Sequence, residues 1–311
     1  MDGNGKSIWF MGTGQFAALC LEGLISNGVT PSRIITGLPT RSGRNNRENP
    51  SAVEVKASEL GLSVSRTGKL SENHELIDAL EAEQPAVIFV IDFGQIIREP
   101  FLSRMCLNIH PSLLPEYRGA APIQRALLDG RDCTGVTVFR LAQAMDAGEI
   151  FAQRRTEILP GDNASDLYRR LSEIGCELAA EAVKDLDAIT FTPQDDSRAT
   201  YAHKLSKEDF ALSFSMTAKK FTDTVRALDM SGGAFVMIGG RRVKVWRASV
   251  RADIKGETPG QVLEVKGCLA VSCSDFCAEL SEVQNEGKAR ISGIEWARGM
   301  HIRAGDNLCK V

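Results

Sequence analysis

The chain has 311 residues, 43% hydrophobic and 25% charged, a globular composition on a length that suggests two domains and excludes a need for disulfide or metal staples. Formal net charge is −3, so the molecule as a whole is not a general polyanion binder. The charge is uneven, with 21 Lys plus Arg against 27 Asp plus Glu in residues 1–205 and 16 against 13 in residues 206–311, and a basic end on an acidic body fits either an anionic partner or a solvated surface.

In chain order, "SIWFMG" (7–12) predicts a buried strand, and "FAALCLEGLISNG" (16–28) has helical spacing ending at Gly28. Residues 32–38 predict a strand, 39–50 a polar loop, and 51–62 and 72–84 two helices. "AVIFVID" (86–92) is the continuous apolar strand of a parallel sheet covered on both faces. A strand ending in Asn108-Ile109-His110 follows. Residues 121–130 predict a helix with a proline in its first turn. Residues 134–142 and 148–158 predict two strands, and 163–186 a long helix capped by Asn163 or Ser165. This alternation predicts an α/β, Rossmann-like, doubly wound and mainly parallel sheet over residues 1–191. Residues 192–207 are polar and broken and predict a linker. Residues 208–311 predict one helix and then six short strands, the last of them "RISGIEW", as in a small OB-like β-barrel. No apolar run reaches a membrane span, and the N-terminus is not a signal peptide. Eight cysteines in mostly apolar settings suit a reducing cytoplasm. Cys268, Cys273 and Cys277 lack the spacing and the nearby histidine of a zinc site, so no metal is expected.

Side chains two apart on a strand share a face, so Asn108 and His110 point the same way at the C-terminal end of a parallel strand, where open α/β sheets bind ligands. An amide donor beside a histidine suits stabilisation of an oxyanion in acyl transfer. A carboxylate partner for the imidazole is needed, and Asp146 in a later turn and Asp92 at a strand end both qualify. "GTGQFA" (12–17) after a strand also fits a pyrophosphate cradle, and with Arg41 and Arg44 it supports an NADP-dependent oxidoreductase as a competing reading. "RRVKVWRASVR" (241–251) places Arg242, Lys244 and Trp246 on one face, compatible with a nucleic-acid backbone or with an ordinary charged strand.

"NIHPSLLPEYRGAAPIQRALLDG", "TGVTVFRLAQAMDAGEIFAQ", "FMGTGQFAALCLEGL" and "YAHKLSKED" resemble the formyltransferase family that uses 10-formyltetrahydrofolate, and within it the branch acting on methionyl-tRNA. The resemblance runs nearly end to end. It implies Asn108, His110 and Asp146 as catalytic residues, deciding for Asp146 over Asp92. It implies a folate site beside Ser112, Leu113, Leu114 and Pro115, with Phe93 and Gly94. Contacts to initiator methionyl-tRNA are implied from Arg41, Arg44 and Arg47 in the 39–50 loop and from Arg242 and Lys244 in the C-terminal barrel. The same resemblance implies a monomer. An amino sugar nucleotide is the alternative acceptor. Three departures stand out: Gly12-Thr13-Gly14 replaces the family's usual Gly-Thr-Pro, the 39–50 loop carries arginines without lysines, and "DMSGGAF" (229–235) replaces an Asn-Pro-x-Pro-Gly segment.

Overall fold

The computed structural model describes residues 6–42 and 47–310, with the side chains of 41, 42, 47 and 187 outside that description. Its elements are β1 (Ile8–Gly12), α1 (Gln15–Ser26), β2 (Arg33–Gly37), β3 (Thr40–Ser42), β4 (Arg47–Asn49), α2 (Ala52–Glu59), β5 (Ser65–Thr67), α3 (His74–Glu83), β6 (Val87–Ile91), β7 (Cys106–His110), β8 (Arg118–Gly119), α4 (Pro122–Leu128), β9 (Cys133–Arg140), β10 (Ile150–Glu157), α5 (Ala164–Lys184), β11 (Tyr201–Ala202), β12 (Ala211–Leu212), α6 (Ala218–Ala227), β13 (Ala234–Ile238), β14 (Arg241–Arg251), β15 (Val262–Glu264), β16 (Ala270–Ser272), β17 (Cys277–Asn285), β18 (Ile291–Ser292) and α7 (Gly293–Gly299). Two compact units result. One comprises residues 1–122, 133–157 and 168–202, and the other residues 123–132, 158–167 and 203–311. No helix among the described residues is long and apolar enough to cross a membrane.

The first unit is built on a seven-stranded sheet in the order β10-β9-β7-β6-β1-β2-β5. Its β5, β2, β1, β6 and β7 run parallel, while β9 and β10 complete the edge antiparallel. Every residue of β1 and β6 is buried, as expected for central parallel strands covered on both faces. The edge strand β10 alternates half-buried and exposed positions over its C-terminal half. Ser51 and Asn73 cap α2 and α3 by accepting the Glu54 and Leu76 amides, satisfying donors that a helix start leaves orphaned. Gly175 lets α5 press directly on Ile109 of β7, since a Cβ there would collide with the isoleucine side chain. That contact seats the strand segment carrying Asn108 and His110.

Residues 39–50 depart from the predicted loop: Thr40–Ser42 and Arg47–Asn49 pair antiparallel as β3 and β4. Polar composition hid two strands too short for their alternation to register. Residues 201 and 202 in the predicted linker also form a strand, parallel to β8.

The second unit contains a sheet in the order β12-β13-β14-β17-β16-β15, with β18 on β17. All its pairs are antiparallel except β12 with β13, and it curls into a half-barrel. Register shifts in β14 around Trp246 and Arg247 supply the local bend. The predicted strand at "RISGIEW" is a correction: only Ile291–Ser292 pair, and α7 begins at Gly293. Ser292 accepts the Glu295 amide while the Glu295 carboxylate accepts from Ser292, a capping box that fixes the helix start.

Candidate active site

β7 ends at the sheet edge that carries ligands in open α/β folds. Asn108 is half-buried, and its side-chain amide has no hydrogen-bond partner among the described residues. It is a donor held ready on a strand. His110, on the same face, is 4% exposed and packs edge-on against Phe139 of β9 with ring centroids 6.4 Å apart. Its Nε2 lies 2.9 Å from the Tyr117 carbonyl, so Nε2 carries a proton and donates. Its Nδ1 is 3.8 Å from Asp146 Oδ2. One imidazole edge is therefore committed to the backbone and the other faces a carboxylate.

Asp146 lies in the turn between β9 and β10 with φ +50, a left-handed conformation that a non-glycine residue keeps only when its surroundings enforce it. Its Oδ2 accepts the Gly119 amide at 2.7 Å. The Gln194 side chain donates to the Asp146 carbonyl at 2.9 Å and to the Gly148 carbonyl at 2.7 Å. Gly148 is required there, because a Cβ would collide with the Arg140 carbonyl.

The loop after His110 folds on itself. Ser112 Oγ donates to the Glu116 carbonyl at 2.7 Å, and Thr137 Oγ1 donates to the Ser112 carbonyl at 2.7 Å and accepts the Leu114 amide at 3.0 Å. Gln153 donates to the Leu114 carbonyl at 2.7 Å. Ser112 and Leu114 are buried, leaving Leu113 and Pro115 half-buried. Leu113 packs over Gly135 so closely that a Cβ at Gly135 would overlap it. Phe93 is buried, and Gly94 is exposed with φ +75.

Asp92 takes a different place from Asp146. Its carbonyl accepts the Thr13 and Gly14 amides at 3.1 and 3.0 Å. Its carboxylate lies over Gly14, where any Cβ would collide with it, and accepts a hydrogen bond from the Phe16 amide at the start of α1. Burial of the carboxylate pushes its pKa up to about 6, partly opposed by that hydrogen bond. The residue still exposes more than a third of its surface, and solvent screening trims the effect. The Gly12–Ala17 turn is thus filled by the protein's own anion where a dinucleotide phosphate would sit, which counts against the oxidoreductase reading.

Among the basic residues, Arg44 lies outside the described residues, as do the side chains of Arg41 and Arg47. In the second unit, Arg242 stacks over Phe235 at 4.7 Å, and Lys244 sits 5.4 Å from the Trp246 ring while donating to the Gly232 carbonyl at 2.7 Å. Arg290 stacks on the same indole at 3.4 Å. Sequence spacing could not reveal Arg290, because it reaches Trp246 from outside β14. Nor could it reveal Tyr117 and Gln194, whose parts are played by a backbone carbonyl and by a distant segment. Cys268, Cys273 and Cys277 are buried, and burial pushes their thiols up, the first two to about 11 and about 12. Cys268 and Cys277 pack with Ala270 in a small apolar cluster, and Cys268 Sγ also accepts from Arg251 at 3.2 Å.

Residues 6–183 match the formyl transferase family, and residues 204–301 match the formyl transferase C-terminal domain. The chain is 35% identical over 311 residues to the methionyl-tRNA formyltransferase of Lactobacillus johnsonii, covering 97% of this chain and 99% of the relative. It is 33% identical over 308 residues to that of Caldicellulosiruptor saccharolyticus, covering 97% and 99%. Among solved structures, HypX from Aquifex aeolicus in complex with tetrahydrofolic acid has TM-score 0.63 at 19% identity. That match covers 94% of this chain but only 47% of HypX, so this chain spans about half of that protein. The methionyl-tRNA formyltransferase from Clostridium thermocellum has TM-score 0.56 at 18% identity, covering 79% and 94%. These structures share the fold. The likeness to the Lactobacillus and Caldicellulosiruptor enzymes runs through both units and almost the whole length, and the chain belongs to the methionyl-tRNA formyltransferase family.

Proposed function

We propose that this protein transfers the formyl group of 10-formyltetrahydrofolate to the α-amino group of methionyl initiator tRNA, as a cytoplasmic monomer. The observation that carries the reading is the pairing of the Asn108 amide, without a hydrogen-bond partner among the described residues, with a His110 ring whose Nδ1 faces Asp146. The neutral amine attacks the formyl carbon and forms the new C–N bond, and the carbonyl oxygen becomes an oxyanion. The Asn108 amide donates to that oxygen. Protonated Nδ1 of His110 donates to it as well, with Asp146 supplying the countercharge. Preorganised donors of this kind contribute roughly 3–4 kcal/mol each. The amine then gives up a proton toward Asp146, directly or through water, the C–N10 bond breaks, and N10 of the folate takes up a proton.

The folate lies beside Leu113, Pro115 and the 93–94 turn in this reading, with Ser112 and Leu114 shaping the loop from inside. Arg41, Arg44, Arg47, Arg242 and Lys244 contact tRNA phosphates. Support for tRNA over an amino sugar nucleotide comes from the match of the C-terminal domain at residues 204–301 and from the stacked cations around Trp246. The test is formyl transfer from 10-formyltetrahydrofolate to charged initiator tRNA with an amino sugar nucleotide as competing acceptor. Label on the tRNA is the expected result; label on the sugar alone overturns the substrate assignment.

A further inference from the structure

We infer that Gln194 is a positioning residue for formyl transfer, holding the Asp146 turn through its side-chain amide; this rests on the role proposed above for Asp146. Gln194 belongs to the segment that reads from sequence as a linker. Both hydrogens of its amide go to the turn, at 2.9 Å to the Asp146 carbonyl and 2.7 Å to the Gly148 carbonyl. Its Oε1 accepts from Arg118 Nε at 3.2 Å and Nη2 at 2.7 Å.

Arg118 is 4% exposed and also binds Asp196 at 2.6 Å. A guanidinium only donates, so it fixes which end of the Gln194 amide faces it and thereby aims the NH₂ at the two carbonyls. The same segment supports His110 from its other side. Thr200 Oγ1 accepts the Tyr117 amide at 2.8 Å, and the Tyr117 carbonyl is the partner of His110 Nε2. Residues 194–200 thus hold both groups that face the imidazole. Asp146 keeps its left-handed φ and its 3.8 Å approach to Nδ1 inside this brace.

Two substitutions separate positioning from general support. Gln194→Ala removes the amide. Gln194→Glu keeps an acceptor for Arg118 but has no hydrogen for either carbonyl. Both are expected to lower kcat by about tenfold to a hundredfold, the scale of a small misplacement of a reacting group, with KM for tRNA and folate changed by less than about twofold. Gln194→Glu should unfold near the parent temperature. Because Gln194 acts through Asp146, adding Gln194→Ala to Asp146→Asn should cost less than about twofold more. Parental kcat in Gln194→Glu beside a disabled Asp146→Asn overturns this inference alone, as does full multiplication of the two effects or a loss confined to KM. Parental kcat in Asp146→Asn removes the carboxylate from the mechanism and this inference with it.

Discussion

Asp146→Asn is the sharpest perturbation of the site. Asparagine is nearly isosteric, and its Oδ1 can still accept the Gly119 amide that Oδ2 accepts at 2.7 Å, so the turn should survive. What disappears is one negative charge 3.8 Å from Nδ1 of a histidine whose side chain is 5% exposed. At an effective dielectric of about 20, a pair at this separation interacts by about 4 kcal/mol. If the imidazolium is the oxyanion donor, that attraction stabilises the charged ring during the reaction, and its loss corresponds to roughly a thousandfold in rate. The assay is kcat for formyl transfer at saturating folate and charged tRNA, with a thermal melt to confirm folding. Asp92→Asn serves as the matched control and should keep most of its activity, since that carboxylate faces Gly14 and the start of α1. A folded Asp146→Asn within about threefold of the parent kcat, or an inactive Asp92→Asn, refutes the assignment.

Asp92 has its own signature in stability. Its folded pKa of about 6 stands above the ordinary 3.8, so the folded state holds the proton more firmly. Its stabilising contribution is complete below about pH 3.8 and is lost as pH rises through about 6. Asp92→Asn should therefore gain about 1 kcal/mol over the parent at pH 7.5, after discounting for screening, and nothing at pH 3.5; an equal gain at both values in urea unfolding would point to packing instead. Arg290→Ala should weaken tRNA binding and reduce the slope of log affinity against log salt by about one, as expected for one lost phosphate contact. An unchanged slope in filter binding excludes Arg290 from the interface. Ser292→Ala should cost about 1 kcal/mol in urea unfolding through loss of the α7 cap, and Ser292→Asp, which restores an acceptor for the Glu295 amide, should recover most of it.

Local pattern carried the fold wherever a segment was long and buried. The all-apolar β1 and β6, and the long helix at Ala164–Lys184, were legible from apolar runs and helical spacing alone. It failed where a short cue outweighed alternation. Ser292 and Glu295 are three apart, the spacing of a capping box, yet the surrounding apolar residues also alternate as in a strand. In the site, Asn108 and His110 could be paired because a strand period fixes their common face. The choice between Asp146 and Asp92 could not be made that way, since both follow strands of one sheet; the family resemblance favoured Asp146, and the folded turn places that carboxylate 3.8 Å from the imidazole. Gln194 was beyond reach for a related reason, being a polar residue in a polar stretch whose partners lie 46 and 48 positions away.

Asp92 also accounts for a departure from the family pattern. The Gly-Thr-Pro of the resemblance becomes Gly12-Thr13-Gly14 here, and a Cβ at position 14 would overlap the Asp92 carboxylate. The N-terminus of a helix preceded by glycines attracts an anion because its amides point outward unpaired. Here Thr13 and Gly14 donate instead to the Asp92 carbonyl, and the Phe16 amide to its carboxylate. A phosphate arriving from outside would have to displace a tethered anion together with the turn that leads into Phe93 and Gly94. Thr13 fastens that turn further, its Oγ1 donating to the Phe93 carbonyl at 3.0 Å while accepting the Gly37 amide at 3.2 Å. The glycine-rich turn between β1 and α1 therefore serves as an anchor for the 92–94 turn. The anchored 92–94 turn follows β6, the parallel neighbour of β7, so the tether made by Thr13, Gly14 and Phe16 fixes a turn beside the strand end that carries Asn108 and His110.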